Sequence, residues 1–133
     1  MPASVLLVDP NRDELEMYVA ALELEGFASA TASSADEALE MLEQAQPRAL
    51  VTELRLPGTG GAELIHRVRH ERPSTFIVAL TTSEGADTRQ AREAGCDVIL
   101  HVPCLPETLV GELRRGLAWR LTPDRAYNPD KPS

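Results

Sequence analysis

Lysine is all but missing from these 133 residues; the single one is Lys131, close to the C-terminus. Charge is unbalanced in the same direction, with 13 Lys and Arg against 21 Asp and Glu and a formal net charge of −8. A chain so acidic repels a phosphate backbone, which excludes nucleic acid as a partner of the chain by itself. Long apolar runs are also absent: no stretch approaches the ~18–20 residues that span a bilayer, and MPASVLLVDP lacks a basic segment followed by a long apolar one. The expectation is a cytoplasmic protein with no membrane contact. Cysteine is scarce, with only Cys96 and Cys104. They bracket the run DVILHVP, and eight strand steps would hold them roughly 26 Å apart, so both are expected to be free thiols. His66, His70 and His101 show no ligand spacing to them, which argues against a zinc site. No internal repeat is visible.

What is present is an ordinary globular composition, 43% hydrophobic and 26% charged, in a chain of single-domain size. Short, mostly continuous apolar runs recur at 4–8, 27–31, 49–53, 76–80 and 97–101, the pattern of parallel strands covered on both faces. Asn11 with Glu14, and Ser34 with Glu37, have capping-box spacing and predict helices starting near 12 and 35. Leu15, Val19 and Leu22 repeat at helical spacing in the first helix, Ala38, Leu39 and Leu42 in the second, and Leu64, Ile65 and Val68 in the third. The fourth helix has the weakest apolar face, mainly Ala91 and Ala94, and is a plausible mobile element. Leu109, Leu113, Leu117 and Leu121 recur behind Pro106 and predict a closing helix over about 106–121.

Strict alternation of strand and helix predicts an α/β fold: one doubly wound, five-stranded parallel sheet with helices on both faces and right-handed crossovers. In such folds a ligand site forms at the carboxyl ends of the strands. Those ends carry Asp9-Pro10, Glu53, Thr81 and Val102-Pro103. One domain is expected over 1–121, followed by a Pro-rich, flexible tail over 122–133.

The motifs VLLVDP, ELRLPGTGGAEL, ALTTSEG and AGCDVILHVPCLPETL stand at these strand ends, in this order. Over about residues 4–121 the sequence resembles the CheY-like receiver domain of bacterial two-component response regulators, and the resemblance implies a flavodoxin-like sheet of order 2-1-3-4-5. It also implies a site from which this chain departs residue by residue. The phosphoacceptor Asp of receivers falls on Glu53; the second, metal-binding acid of the first-strand pair falls on Pro10, beside Asp9. The Lys that neutralises the phosphoryl group falls on Val102, and the aromatic switch residue on Ile99. Thr81 retains the switch hydroxyl. With two carboxylates at most, Asp9 and Glu53, the expected cofactor is none, or Mg²⁺ held weakly.

The resemblance therefore points to an atypical member, a pseudo-receiver that is not an enzyme and acts by protein–protein contact without Asp phosphorylation. The alternative is an active phosphoacceptor that catalyses its own phosphorylation on Glu53 or Asp9. Two readings of Glu53 stay open: a built-in partial mimic of the phosphorylated state, or a solvated carboxylate in a disused pocket. Partners would be a signalling protein, either a histidine kinase or an output protein, or a second copy of the chain through the last helix. Trp119, Arg115 and Arg120, with Tyr127 in the tail, mark a contact face there unless the tail folds back over Trp119. Glu14, Glu16, Glu23 and Glu25 read as a solvated face of the first helix, the helix with which receivers dock kinases. His101 is expected to border the phosphate pocket, as a structural residue or a pH sensor, and Cys104 to be a quiet buried thiol or a redox handle. The Val102-Pro103 bond is open between cis and trans.

Overall fold

The computed structural model describes residues 4–82 and 85–120, the side chains of residues 119 and 120 excepted. Strands and helices alternate as β1 (Val5–Val8), α1 (Arg12–Leu24), β2 (Ser29–Ala32), α2 (Ala35–Ala45), β3 (Ala49–Glu53), α3 (Gly61–Glu71), β4 (Phe76–Thr81), α4 (Ala86–Ala94), β5 (Val98–His101) and α5 (Pro106–Arg120). All strand pairs are parallel, as the alternation of strand and helix predicts, and the sheet runs β2-β1-β3-β4-β5, the order that the resemblance implies.

Alternate residues of β1, β3, β4 and β5 feed two cores, while the edge strand β2 adds only Ala30 and Ala32 to the second. Val5, Leu7, Val51, Phe76 and Val78 face α1 and α5, where Tyr18, Leu22, Leu109, Leu113 and Leu117 cover them. Leu6, Val8, Leu50, Ile77 and Ala79 face α2, α3 and α4, against Ala38, Leu42, Leu64, Ile65, Val68 and Ala91. Burial on both faces explains why the strands read as continuous apolar runs.

Both sequence-derived helix starts hold. The Asn11 side chain accepts from the Glu14 N–H at 3.1 Å, and Ser34 Oγ from the Glu37 N–H at 3.2 Å. The reciprocal arm of each capping box is diverted: the Glu37 carboxylate takes the Ser33 hydroxyl at 3.0 Å, and that of Glu14 turns to the sheet end described below.

Strand boundaries differ from expectation by one or two residues at β1, β2, β4 and β5. The second strand starts at Ser29, not at Phe27. The N–H of Phe27 donates to Leu22 O at 2.9 Å and that of Gly26 to Glu23 O at 3.1 Å, so Phe27 closes the turn behind α1 while packing its ring on the first core. In β5, Asp97 stands just outside the strand because its carboxylate is an anchor, accepting from the Ile77 N–H and from Arg69, each at 2.8 Å. The last helix begins at Pro106 as expected. Leu121 and the 122–133 tail lie outside the described residues.

Candidate functional site

The register Val8↔Thr52 between β1 and β3 sets the next residue of each, Asp9 and Glu53, side by side at the carboxyl edge. This edge lies at the switch point where the chain reverses its winding, the usual ligand position of doubly wound sheets. Asp9 is only 3% exposed. Its Oδ1 accepts the Asn11 N–H at 2.8 Å, while Oδ2 is buried and has no hydrogen-bond partner. Behind Glu53 the PGTGG loop folds back tightly. The N–H of Gly61 donates to Leu54 O at 3.0 Å, and a Cβ at Gly61 would stand 2.3 Å from Glu53 O, so only glycine lets α3 start so close to the strand end.

A third carboxylate completes the edge. Glu14, from the first turn of α1, reaches Asp9 and Glu53 so that one oxygen of each lies within 4.8 Å of the others. The expectation of two carboxylates at most is thus corrected to three, and Glu14 is half-buried rather than part of a solvated face. Glu16, Glu23 and Glu25 are exposed, and Glu25 pairs with Arg114 of α5. The signal for Glu14 was available: it precedes the buried Tyr18 and Leu22 by one and two i,i+4 steps, which puts it on the core-facing stripe of α1.

Crowding of like charges sets the electrostatics. Glu14 is pushed up from 4.5 to about 7, first because its protonated form can hydrogen-bond Asp9, then by burial and by the charges of Asp9 and Glu53. Glu53 is pushed up from 4.5 to about 7 by burial and by Asp9, against a downward pull from Arg55. Near neutrality the cluster therefore holds protons that ordinary carboxyls would have lost.

The remaining strand ends carry little charge. Thr81 ends β4, is 2% exposed, and its carbonyl accepts the Val102 N–H at 2.9 Å. Val102 is half-buried against the first core, and the Val102-Pro103 peptide is cis. Ile99 packs against the second core as an aliphatic wedge. Pro10 is exposed and lines, with Asp9, Arg12, Ser33 and Glu37, an open groove of about 690 Å³. His101 lines a separate cavity of about 380 Å³ with Gly85, Thr88, Arg89 and Arg92, on the α4 side of the sheet.

Cys96 and Cys104 are free, half-buried thiols. Burial, then the Asp97 charge, pushes Cys96 up to about 11. Burial also raises Cys104, while a hydrogen bond from Tyr18 opposes it. Of the α5 contact face, Arg115 is half-buried and lies 3.5 Å from Glu112; the side chains of Trp119 and Arg120, and all of Tyr127, fall outside the described residues. No helix among the described residues is long and apolar enough to cross a membrane.

A parallel sheet of order 2-1-3-4-5 with acids at the ends of β1 and β3, a hydroxyl at the end of β4 and a cis-proline behind β5 defines a receiver-type signalling domain. Residues 5–114 match the response regulator receiver domain family, and the chain belongs to it. It is 30% identical over 134 aligned residues to the response regulator MprA of Mycobacterium sp. (strain KMS), covering 100% of this chain and 57% of that protein. It is 28% identical over 114 residues to the phosphate regulon transcriptional regulatory protein PhoB of Pseudomonas aeruginosa, covering 84% of this chain and 50% of that protein. The chain thus spans about half the length of these relatives. Among solved structures, the chemotaxis response regulator CheY4 of Vibrio cholerae superposes with a TM-score of 0.79 at 28% identity, over 87% of this chain and 99% of that one. The CheY-like receiver of Methanospirillum hungatei JF-1 shares the fold with a TM-score of 0.86 at 23% identity, over 91% of this chain and 98% of that one.

Magnesium, the cofactor the family implies, prefers hard oxygen donors. The orphaned Oδ2 of Asp9 and the converging oxygens of Glu14 and Glu53 fit that preference. When bound, such an ion supplies positive charge to oxygens at the strand ends.

Proposed function

We propose that this chain is a pseudo-receiver: a response-regulator receiver domain that signals through protein contacts without a phosphoaspartate. The observation that carries this reading is Glu53, held at the end of β3 beside two more carboxyls and raised to about 7. A carboxyl that retains its proton near neutrality is a poor nucleophile. A phosphoryl group there, of charge about −1.5 to −2, would face Asp9 and Glu14 with a valine where receivers have lysine. No lysine stands among the described residues to offset it. Phosphoryl transfer depends on positioned counter-charge, so losing the aspartate acceptor and the lysine together disables it.

The contacts would be made with a histidine kinase, an output protein or a second copy of the chain through α5, in the cytoplasm. Incubation with acetyl phosphate and Mg²⁺, followed by intact-mass measurement, tests the reading. An unchanged mass is expected; a stoichiometric gain of one phosphoryl group would overturn it in favour of autophosphorylation on Glu53 or Asp9. Whether Glu53 mimics the phosphorylated state is read separately, by comparing partner affinity of the native chain, Glu53→Asp and Glu53→Gln. Equal affinity would discard mimicry.

A further inference from the structure

We propose that Glu14 replaces the acid missing at Pro10 and completes, with Asp9 and Glu53, a site for one divalent cation of the hard, oxygen-preferring class. The inference holds whether or not the domain ever accepts a phosphoryl group. Two independent observations converge on it. The first is Asp9 Oδ2, an unpartnered oxygen on a side chain more than nine-tenths buried. A buried acceptor without a donor is costly, and native proteins resolve such atoms with water or an ion. The second is the convergence of one carboxylate oxygen each from Asp9, Glu14 and Glu53 to within 4.8 Å of one another, from a strand end, a helix and a second strand.

Local backbone explains how Glu14 can take over. Receivers place the second acid immediately after the first, on the loop leaving β1. Here that residue is Pro10, which has no carboxylate and no N–H and is exposed. The chain then enters α1 at Arg12, and the Asn11 cap fixes its first turn by binding the Glu14 N–H. The cap thereby sets the phase of the helix, turning the Glu14 side chain inward along the Tyr18 and Leu22 stripe, over the sheet edge. A glutamate projected from one helical turn beyond the loop thus reaches what an aspartate on the loop would have reached.

Arg55, the cation that acts on Glu53, is also drawn to Asp87 of α4 at 3.6 Å, and its side chain is 73% exposed. A dication centred among the three acids would meet all of them at once, and water can fill its remaining positions.

The test uses the full chain stripped with a chelator, then titrated with MgCl₂ and, separately, MnCl₂. Binding is read by calorimetry and by the amide resonances of residues 9, 14 and 53. Saturable one-site binding is expected, with Mg²⁺ shifts and Mn²⁺ broadening centred on those residues. Glu14→Gln should weaken binding at least tenfold, Glu53→Gln likewise, and Glu16→Gln on the exposed face not at all. Glu14→Gln removes a like charge, so it should melt at or above the native chain in chelator, which separates lost binding from lost fold; Glu14→Ala is the second variant. Native chain that shows no saturable shift, or Glu14→Gln that binds as tightly as native, overturns the proposal. Neither result bears on phosphoryl gain by mass, so this site and the pseudo-receiver reading fail separately.

Discussion

Asp9 Oδ1 accepts a 2.8 Å hydrogen bond from the backbone N–H of Asn11, the residue whose own side chain caps α1. One carboxylate oxygen therefore pins the strand end to the helix start, and the other is buried without a hydrogen-bond partner on a side chain clustered with Glu14 and Glu53. Asp9→Asn keeps an oxygen for the Asn11 N–H and presents an amide donor to the two glutamates. In chelator it should raise stability by about 1 kcal/mol, since a buried unpaired acceptor is replaced by a donor that finds acceptors. Urea unfolding measures this, and a loss of stability would show that Oδ2 is satisfied in the native chain.

The same crowding predicts a pH dependence. Glu14 and Glu53 are each raised from 4.5 to about 7, so between those values the folded chain binds more protons than the unfolded one. Unfolding free energy must then fall as pH rises through that window and level off above it. Urea midpoints measured in chelator from pH 5 to 8 should show the decline in native protein, and Glu14→Gln/Glu53→Gln should flatten it. Parallel profiles for the two proteins would contradict the shifts.

A second cluster, remote from the acids, holds the other end of the sheet. Arg69 of α3 donates through Nε to Gly95 O at 2.8 Å, and through Nη1 to Pro73 O at 2.7 Å and Thr75 O at 2.9 Å. Its Nη2 pairs with Asp97 Oδ2 at 2.8 Å, and that oxygen also accepts the Ile77 N–H. The pair is largely buried, at 22% and 11% side-chain exposure, so removing one partner strands the other. Arg69→Ala should cost about 3 kcal/mol in urea unfolding. Arg69→Lys should recover less than half, because an ammonium cannot reproduce the planar fork. Full rescue by lysine would reduce the latch to simple charge.

How far this was legible in the sequence depends on the kind of signal. Continuous apolar runs located the strands, and apolar periodicity with two cap motifs and Pro106 located the helices, the fourth most weakly, because burial on both faces and helix starts leave local marks. The strand ends also named Asp9, Glu53, Thr81 and Val102 correctly as neighbours of one edge, since parallel register aligns them. Glu14 was missed because an Asn-x-x-Glu spacing has a complete local explanation, and only the phase of α1 against Tyr18 reveals that its carboxyl points inward. Arg69 was missed for a different reason: its partners lie 4 to 28 residues away and three of the four are backbone carbonyls, which side-chain patterns do not display. Phe27 was read as strand because an apolar residue that closes a turn behind a helix looks locally like one that opens a strand.

The seating of α5 on the sheet rests on a glycine. A Cβ at Gly116 would stand 2.1 Å from Phe76 Cζ and 2.3 Å from Cε1 and Cε2, and Phe76 is wholly buried. Gly116→Ala gains helix propensity of about 1 kcal/mol but must displace either the ring or the helix. Overpacking of this kind costs about 1–3 kcal/mol, so the net expectation is destabilisation, against the propensity trend. The mechanism is checked by a double-mutant cycle with Phe76→Leu, which removes the ring atoms the new methyl would strike. The single changes should each destabilise, and the double variant should be more stable than their sum predicts, by at least ~0.5 kcal/mol. Additive losses would mean that the helix simply shifts to admit the methyl. In that event Gly116→Ala should instead move the α5 amide resonances while leaving those of β4 in place, and the face carrying Arg115 would be the part of the domain that gives.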